Sequence, residues 1–299
     1  MLGTEIESEI RKLLKTSQSG SVSIPEDALN RFTDRCRNAV VKRFTKEQDN
    51  VFRLRMSNIG RDIRTLWLDK TYGRPEFDEA VSLKMLYGDL IEALAFMLIE
   101  SIPNVNITGM NKKVSIDVNG TKINGEYDIS IDNRIIDVKS ASPYSYDNKF
   151  VDYETLKNSD DFGYVNQIFG YAIGTGGEEL PQGWLVFNKV DGNFKFVEVP
   201  DASVVNDVKQ IKKDIANKVR IINNNLVDEV PACNGVVAES WYKKPTGRMM
   251  LGNNCRFCSH KDKCHPELYA VQDKVSKAKG AGIKYYTKLL DTDDEMVSN

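Results

Sequence analysis

Apolar residues recur at helical spacing along the first third of the chain. Ile6, Ile10, Leu13 and Leu14 share one helix face within residues 5–15. A Ser-rich loop separates this segment from a second predicted helix, which opens at Pro25 with Ser23 or Ile24 near its cap and runs to about Phe44. A third helix is predicted over 58–70, ending where Gly73 and Pro75 break the pattern. The longest apolar-periodic segment lies between Glu79 and Ser101. Leu83, Leu86, Leu90, Leu94, Met97 and Leu98 predict a core helix there, stopping before Pro103.

Beyond Pro103 the period changes. The segment KKVSIDV alternates, Asn119–Gly120 is a strong two-residue turn signal, and TKINGEYDISI follows as a second strand. Asp132–Asn133 predicts another tight turn before the strand RIIDVKSAS. A helix is predicted over 160–173, then two strands, GWLVFNKV and NFKFVEV, about the turn at Asp191–Gly192. A long helix over about 201–225 leads to a Cys-rich region, and the acidic tail is expected to fray. A helix, a three-strand meander, a helix and further strands amount to an α/β or α+β sheet domain.

Composition narrows the class. Of 299 residues, 41% are hydrophobic and 28% charged, as expected of a globular protein, and no apolar run is long enough for a membrane span. The first fifteen residues are amphipathic, with Glu5, Glu7 and Glu9 ahead of Arg11, Lys12 and Lys15, and lack the basic region followed by an apolar run of a secretory signal, so a cytoplasmic location is expected. The net charge of -2 hides two basic stretches. Residues 31–64 hold ten Lys/Arg against four Asp/Glu, and residues 242–264 six against one. These suit either solvated helix faces or a polyanion-binding surface. Of five cysteines, Cys255, Cys258 and Cys264 cluster while Cys36 and Cys233 stand apart. With an odd count and no secretion signal, this pattern favours metal binding over a disulfide framework.

The stretch GEYDISIDNRIIDVKSAS places four charges among isoleucines and valines. With Asp132–Asn133 as a two-residue loop, Asp128 is expected opposite Asp137, and Glu126 opposite Lys139. Ile129 and Ile136 then take the other face. A polar surface with cross-strand ion pairing explains Glu126–Lys139 well but not two facing carboxylates. A divalent cation, magnesium or manganese, would relieve them, with Lys139 free to orient or deprotonate a water or to steady a phosphoryl transition state.

Asp128 followed by Asp137-x-Lys139 resembles the core signature of the PD-(D/E)xK nuclease superfamily, and Gly125-x-x-Asp128 is similar to its RecB-like branch. Two more motifs of that branch have counterparts. Gly88 and Glu92 lie on the preceding helix, with Glu where His is commoner, and Gln167-x-x-x-Tyr171 lies on the following one. The resemblance implies a restriction-endonuclease-like core, with a central mixed sheet flanked by helices, an N-terminal helical region and a C-terminal Cys-rich lobe. It further implies that Glu92, Asp128, Asp137 and the Val138 carbonyl hold Mg²⁺ or Mn²⁺, and that Lys139 serves the attacking water. Gln167 and Tyr171 would contact the nucleic-acid strand.

The pattern Cys255-x2-Cys258-x5-Cys264 resembles the iron–sulfur element of RecB-like nucleases of the AddB and CRISPR-associated types. That likeness implies a [4Fe-4S] cluster completed by an upstream cysteine. The family's upstream segment aligns with Ser57–Arg64, which puts Asp62 where cysteine is expected, so the fourth ligand is Cys36, Cys233 or Asp62. Zinc is the rival, because His260 lies within the cluster and His265 beside it.

The expected division is a helical region at 1–78, a nuclease core at 79–230, a Cys-rich lobe at 231–285 and an acidic tail at 286–299. The expected activity is a metal-dependent DNA exonuclease acting on ends or single strands. The alternatives are a structure-specific or restriction-like endonuclease, and a catalytically silent nucleic-acid-binding module of a recombination or packaging assembly. Partners implied are DNA and a helicase or recombination protein, since no Walker-type phosphate loop is present. The size and the missing helicase would suit a phage protein.

Overall fold

Both tight turns expected from the sequence form in the computed structural model, which describes residues 3–45, 51–74, 79–176, 181–232, 235–272 and 282–290. Asn119 and Gly120 have φ of 53° and 80°, and Asp132 and Asn133 of 50° and 64°. Two consecutive left-handed residues match the right-handed twist of the flanking strands, and Asn, Asp and Gly reach that region at least cost.

The elements in chain order are α1 (Gly3–Ser17), α2 (Glu26–Thr45), α3 (Met56–Ile59), α4 (Ile63–Tyr72), α5 (Glu79–Glu100), β1 (Ile107–Val118), β2 (Thr121–Ile131) and β3 (Arg134–Ala141). There follow α6 (Pro143–Asn148), α7 (Tyr153–Asn158), α8 (Tyr164–Gly174), β4 (Pro181–Asn188), β5 (Phe194–Glu198) and α9 (Asp201–Asn223). The last are β6 (Val236–Trp241), β7 (Lys244–Leu251), α10 (Asn253–Arg256), α11 (Lys261–Cys264), β8 (Tyr269–Gln272) and β9 (Ile283–Lys288). No described helix is long and apolar enough to cross a membrane.

The chain forms two units, Met1–Gly60 with Glu76–Arg220, and Arg61–Pro75 with Ile221–Asn299. The grouping is discontinuous: α4 belongs with the C-terminal part of the chain, not with the N-terminal helices that precede it.

The first unit is an α/β fold around a mixed five-stranded sheet of order β1-β2-β3-β4-β5. β1, β2 and β3 form an antiparallel meander, β4 runs parallel to β3, and β5 returns antiparallel. The parallel step needs a crossover, which the segment carrying α6, α7 and α8 supplies. Helices cover both faces. On one, Ile6 and Ile10 of α1 and Phe96 and Ile99 of α5 pack against Ile129, Ile136, Val138 and Leu185. On the other, Met56, Ile168, Phe169, Ile211 and Ile215 pack against Ile135, Trp184 and Val186. Burial on both sides explains the unbroken apolar run Trp184–Phe187 in β4.

The second unit contains an antiparallel sheet of order β6-β7-β9-β8 where the sequence predicted only a Cys-rich segment. Its turn at Tyr242–Lys243 uses two left-handed residues, with φ of 46° and 66°, that carry no turn signature. Buried Glu239 accepts hydrogen bonds from Tyr286 Oη at 2.7 Å, Thr246 Oγ1 at 3.1 Å and Lys284 Nζ at 3.3 Å.

Candidate active site

The hairpin register is as expected up to Ile129, with Ile131 facing Arg134, Ser130 facing Ile135 and Ile129 facing Ile136. There the ladder ends. Oδ2 of Asp128 accepts the Val138 N–H at 2.7 Å, so a carboxylate closes the ladder where a backbone carbonyl would otherwise bond. The expected pairing of Glu126 with Lys139 does not form. Glu126 is exposed and faces Lys113 of β1, because β2 pairs with β1 throughout this stretch while β3 turns to β4.

Asp137 is 1% exposed. Among the described residues no donor meets hydrogen-bond geometry at either of its oxygens, but Lys139 Nζ lies 2.6 Å from Oδ2 as an ion pair. Nζ also reaches Oε1 of Gln167 at 3.5 Å and lies 4.9 Å from the ring centroid of Tyr164. Gln167 in turn donates through Nε2 to the Tyr171 hydroxyl at 2.8 Å. Tyr164, Gln167 and Tyr171 occupy positions i, i+3 and i+7 of α8, so one helix face meets Lys139 of β3. Tyr164 escaped the sequence reading, though this spacing was available to find it.

Glu92 enters from α5. Burial pushes its carboxyl up to about 7, helped by the charges of Asp137 and Asp89 and opposed by Lys139 and a hydrogen bond from Asn111. Asn111, another residue the sequence did not single out, adopts φ 47° within β1. Burial also raises Asp128, with Asp137 and Glu92 adding to the effect, and burial raises Asp137 against the pull of Lys139. For Lys139 burial acts downward, yet Asp137 and Asp128 outweigh it and hold the ammonium charged. A lysine so held cannot take a proton from water; it can only donate, orient and neutralise. Glu92, Asp128, Asp137 and Lys139 thus lie within electrostatic reach of one another, and Gln167 links Lys139 to Tyr171.

Gly125 has a packing reason. A Cβ there would come 2.7 Å from both Met56 Sδ and Tyr171 Cε1, so its absence lets α3 and α8 close on β2.

The cofactor expectations are overturned. Among the described residues no group of three or more His, Cys, Asp or Glu side chains is disposed to hold a metal ion. At the carboxylate site, Asp128 is engaged with the Val138 N–H, and the ammonium of Lys139 sits where a cation would neutralise Asp137. The residues Glu92, Asp128, Asp137 and Val138 therefore do not form the expected Mg²⁺ or Mn²⁺ cage.

The iron–sulfur and zinc expectations fail on the same ground. Cys264 Sγ accepts from Arg64 Nε at 3.2 Å, and Cys258 Sγ accepts from the His260 N–H at 3.4 Å and from Thr65. None of Cys36, Cys255, Cys258 and Cys264 is in a disulfide. Cys36 lies on α2 of the first unit, and Cys233 lies outside the described residues. Asp62 caps α4, accepting from the N–H groups of Arg64 and Thr65. His260 Nε2 lies 3.0 Å from Oδ1 of buried Asp69, whose other oxygen pairs with Arg74. His265 is lowered by burial and by the charge of Arg64.

No protein-family model matches the chain. No curated protein matches it either. Among solved structures, one described as "Crystal structure of SSO0001" is similar at 13% identity, covering 81% of this chain and 98% of that chain with a TM-score of 0.37. An overlap of that quality does not define a shared fold.

Proposed function

We propose that this chain is a DNA phosphodiester hydrolase of the PD-(D/E)xK superfamily, in its RecB-like branch, with the first unit as its restriction-endonuclease-like core. The observation that supports this best is the meeting of four separate sequence motifs around Asp137 and Lys139 of β3. Glu92 of α5, Asp128 of β2, the Asp137–Lys139 pair of β3 and the Gln167–Tyr171 pair of α8 are coupled there. Clusters of perturbed carboxylates beside a buried cation are typical of sites that move protons and stabilise developing charge.

In this reading Lys139 neutralises the phosphoryl oxygens as charge builds. Glu92, its carboxyl pushed up to about 7, takes the proton of the water that attacks phosphorus; the ester P–O bond opposite breaks, and the departing strand oxygen takes a proton from solvent. Gln167 and Tyr171 position the strand. The substrate is a DNA end or single strand, the compartment is the cytoplasm, and a helicase or recombination protein is the natural partner.

One observation favours the silent binding module instead: one oxygen of Asp128, Oδ2, is already held by the Val138 N–H. End-labelled linear DNA separates the readings. We expect hydrolysis by the wild-type chain and at least about a 100-fold loss in both Asp137→Asn and Lys139→Ala. The reaction is run in parallel with chelator and with added divalent cations, so that the result does not presuppose a cofactor. Binding without cleavage in every buffer would establish the silent module, and cleavage of a closed circle would replace the exonuclease by an endonuclease.

A further inference from the structure

Beside Lys139 stands a short column of aromatic rings. Tyr164, whose ring lies 4.9 Å from Lys139 Nζ, stacks with both Phe150 and Phe162, each at a centroid distance of 5.7 Å and an interplanar angle of 29°. Phe150 is buried, whereas Phe162 is 41% exposed. The column therefore runs from the interior to solvent and ends on a ring that water partly covers.

The loop bearing Phe162 is rigidly built. Asp160 accepts hydrogen bonds from the N–H groups of Gly163, Tyr164 and Val165 at 2.8, 2.9 and 2.8 Å. Gly163, at φ 79°, lies against Gly60 so closely that a Cβ on it would sit 2.2 Å from the Gly60 carbonyl carbon. No side chain larger than hydrogen fits at that crossing. The two acids that precede Phe162 are compensated internally, Asp160 by these N–H groups and Asp161 by its ion pair with Lys149. The Lys149 ammonium lies 5.8 Å from the Phe162 ring centroid. The exposed Phe162 ring is thus held beside the Lys149 ammonium and against Tyr164, the ring that the Lys139 ammonium touches on the hydrolytic side.

A ligand that matches this arrangement has flat aromatic faces on a polyanionic backbone. We propose that Phe162 is the stacking platform for a nucleobase of single-stranded DNA whose adjacent phosphate enters the Lys139 site. This rests on the DNA reading above and adds a base-binding subsite to it. Sequence-tolerant stacking of this kind is how proteins hold a single strand without reading its bases. Because the loop is already ordered, little conformational freedom is lost on binding.

The test uses the full chain and single-stranded oligonucleotides with 2-aminopurine at successive positions, in an Asp137→Asn background that stops turnover. One position should show quenched fluorescence. Phe162→Ala should abolish that quench and weaken binding about 5- to 150-fold, whereas Phe162→Trp should retain both. An abasic nucleotide at the same position should weaken the Phe162 protein by a similar factor and cost nothing further in Phe162→Ala. The abasic arm needs no variant at Phe162, so a missing abasic penalty at the quenched position overturns the proposal even if Phe162→Ala folds poorly, and Phe162→Trp, which keeps a ring, ties the penalty to this residue. Binding by Phe162→Ala within twofold of its parent, or abasic and Ala losses that multiply, would overturn the proposal. So would the absence of binding. Stacking without cleavage of linear DNA by the wild-type chain would leave the subsite standing and remove the hydrolase reading. Cleavage indifferent to Phe162 would do the reverse.

Discussion

Burial pushes the Glu92 carboxyl up to about 7 from its ordinary 4.5, and the sign of that shift has a measurable consequence. Below about pH 4.5 the carboxyl is neutral in folded and unfolded chains alike, and folding meets no penalty. As pH rises toward 7, the unfolded chain ionises first and the folded state loses stability relative to it; above 7 the loss is complete. Urea denaturation should therefore show Glu92→Gln more stable than wild type at pH 8 by about 1–3 kcal/mol, with the difference vanishing below about pH 4. An equal offset at both pH values would mean that Glu92 carries no such shift. The same substitution removes the proposed base, so a gain in stability and a loss of hydrolysis should travel together. Lys139 shows why residue type alone was an incomplete guide. Its spacing from Asp137 was legible, but its charged state comes from neighbours on two strands and a helix.

At the scale of elements, the turns divide into those the sequence announces and one that it conceals. Asn119–Gly120 and Asp132–Asn133 are residues that tolerate left-handed φ. Tyr242 and Lys243 are not, and they adopt it because β6 and β7 must join with Trp241 facing Lys244. Each such residue forgoes roughly 1 kcal/mol relative to its relaxed backbone. Lys243→Gly should accordingly raise the stability of the second unit by up to about 1 kcal/mol, read as a higher urea midpoint at unchanged slope. A lower midpoint would mean that the lysine side chain contributes more than the strain removes. The parting of β2 from β3 after Ile129 was likewise hidden. Alternation predicts which face a side chain takes, but the length of a ladder depends on what each strand pairs with on its other edge. Here β1 holds β2 while β4 draws β3 away.

Across the whole molecule, the first unit depends on two apolar layers separated by the sheet. Phe96 is fully buried on the α5 side, and Phe169 on the α8 side. Phe96→Ala and Phe169→Ala should each cost about 3–5 kcal/mol, since each removes a large side chain and leaves a cavity. They sit in different clusters, so the double variant should lose the sum to within about 0.5 kcal/mol in equilibrium unfolding. A marked shortfall would show the two layers to be mechanically coupled through β3 and β4. The alternative of Glu126 pairing with Lys139 fails at this scale too, because the residue is claimed by the neighbouring strand.

Local chemistry was written plainly in the chain. Helix periodicity, the Asn-Gly and Asp-Asn turns, the first three pairs of the hairpin and the common helix face of Gln167 and Tyr171 all depend on residues near one another in sequence. Tertiary contacts decided what those residues became. They set the Lys139 ammonium against Asp137, gave the Val138 N–H to Asp128, bound Cys258 and Cys264 to Thr65 and Arg64, and grouped α4 with a sheet formed more than a hundred residues later. Those contacts overturned both metal centres, because a pattern of ligand types specifies which atoms are available and only the packed chain specifies which of them already have partners.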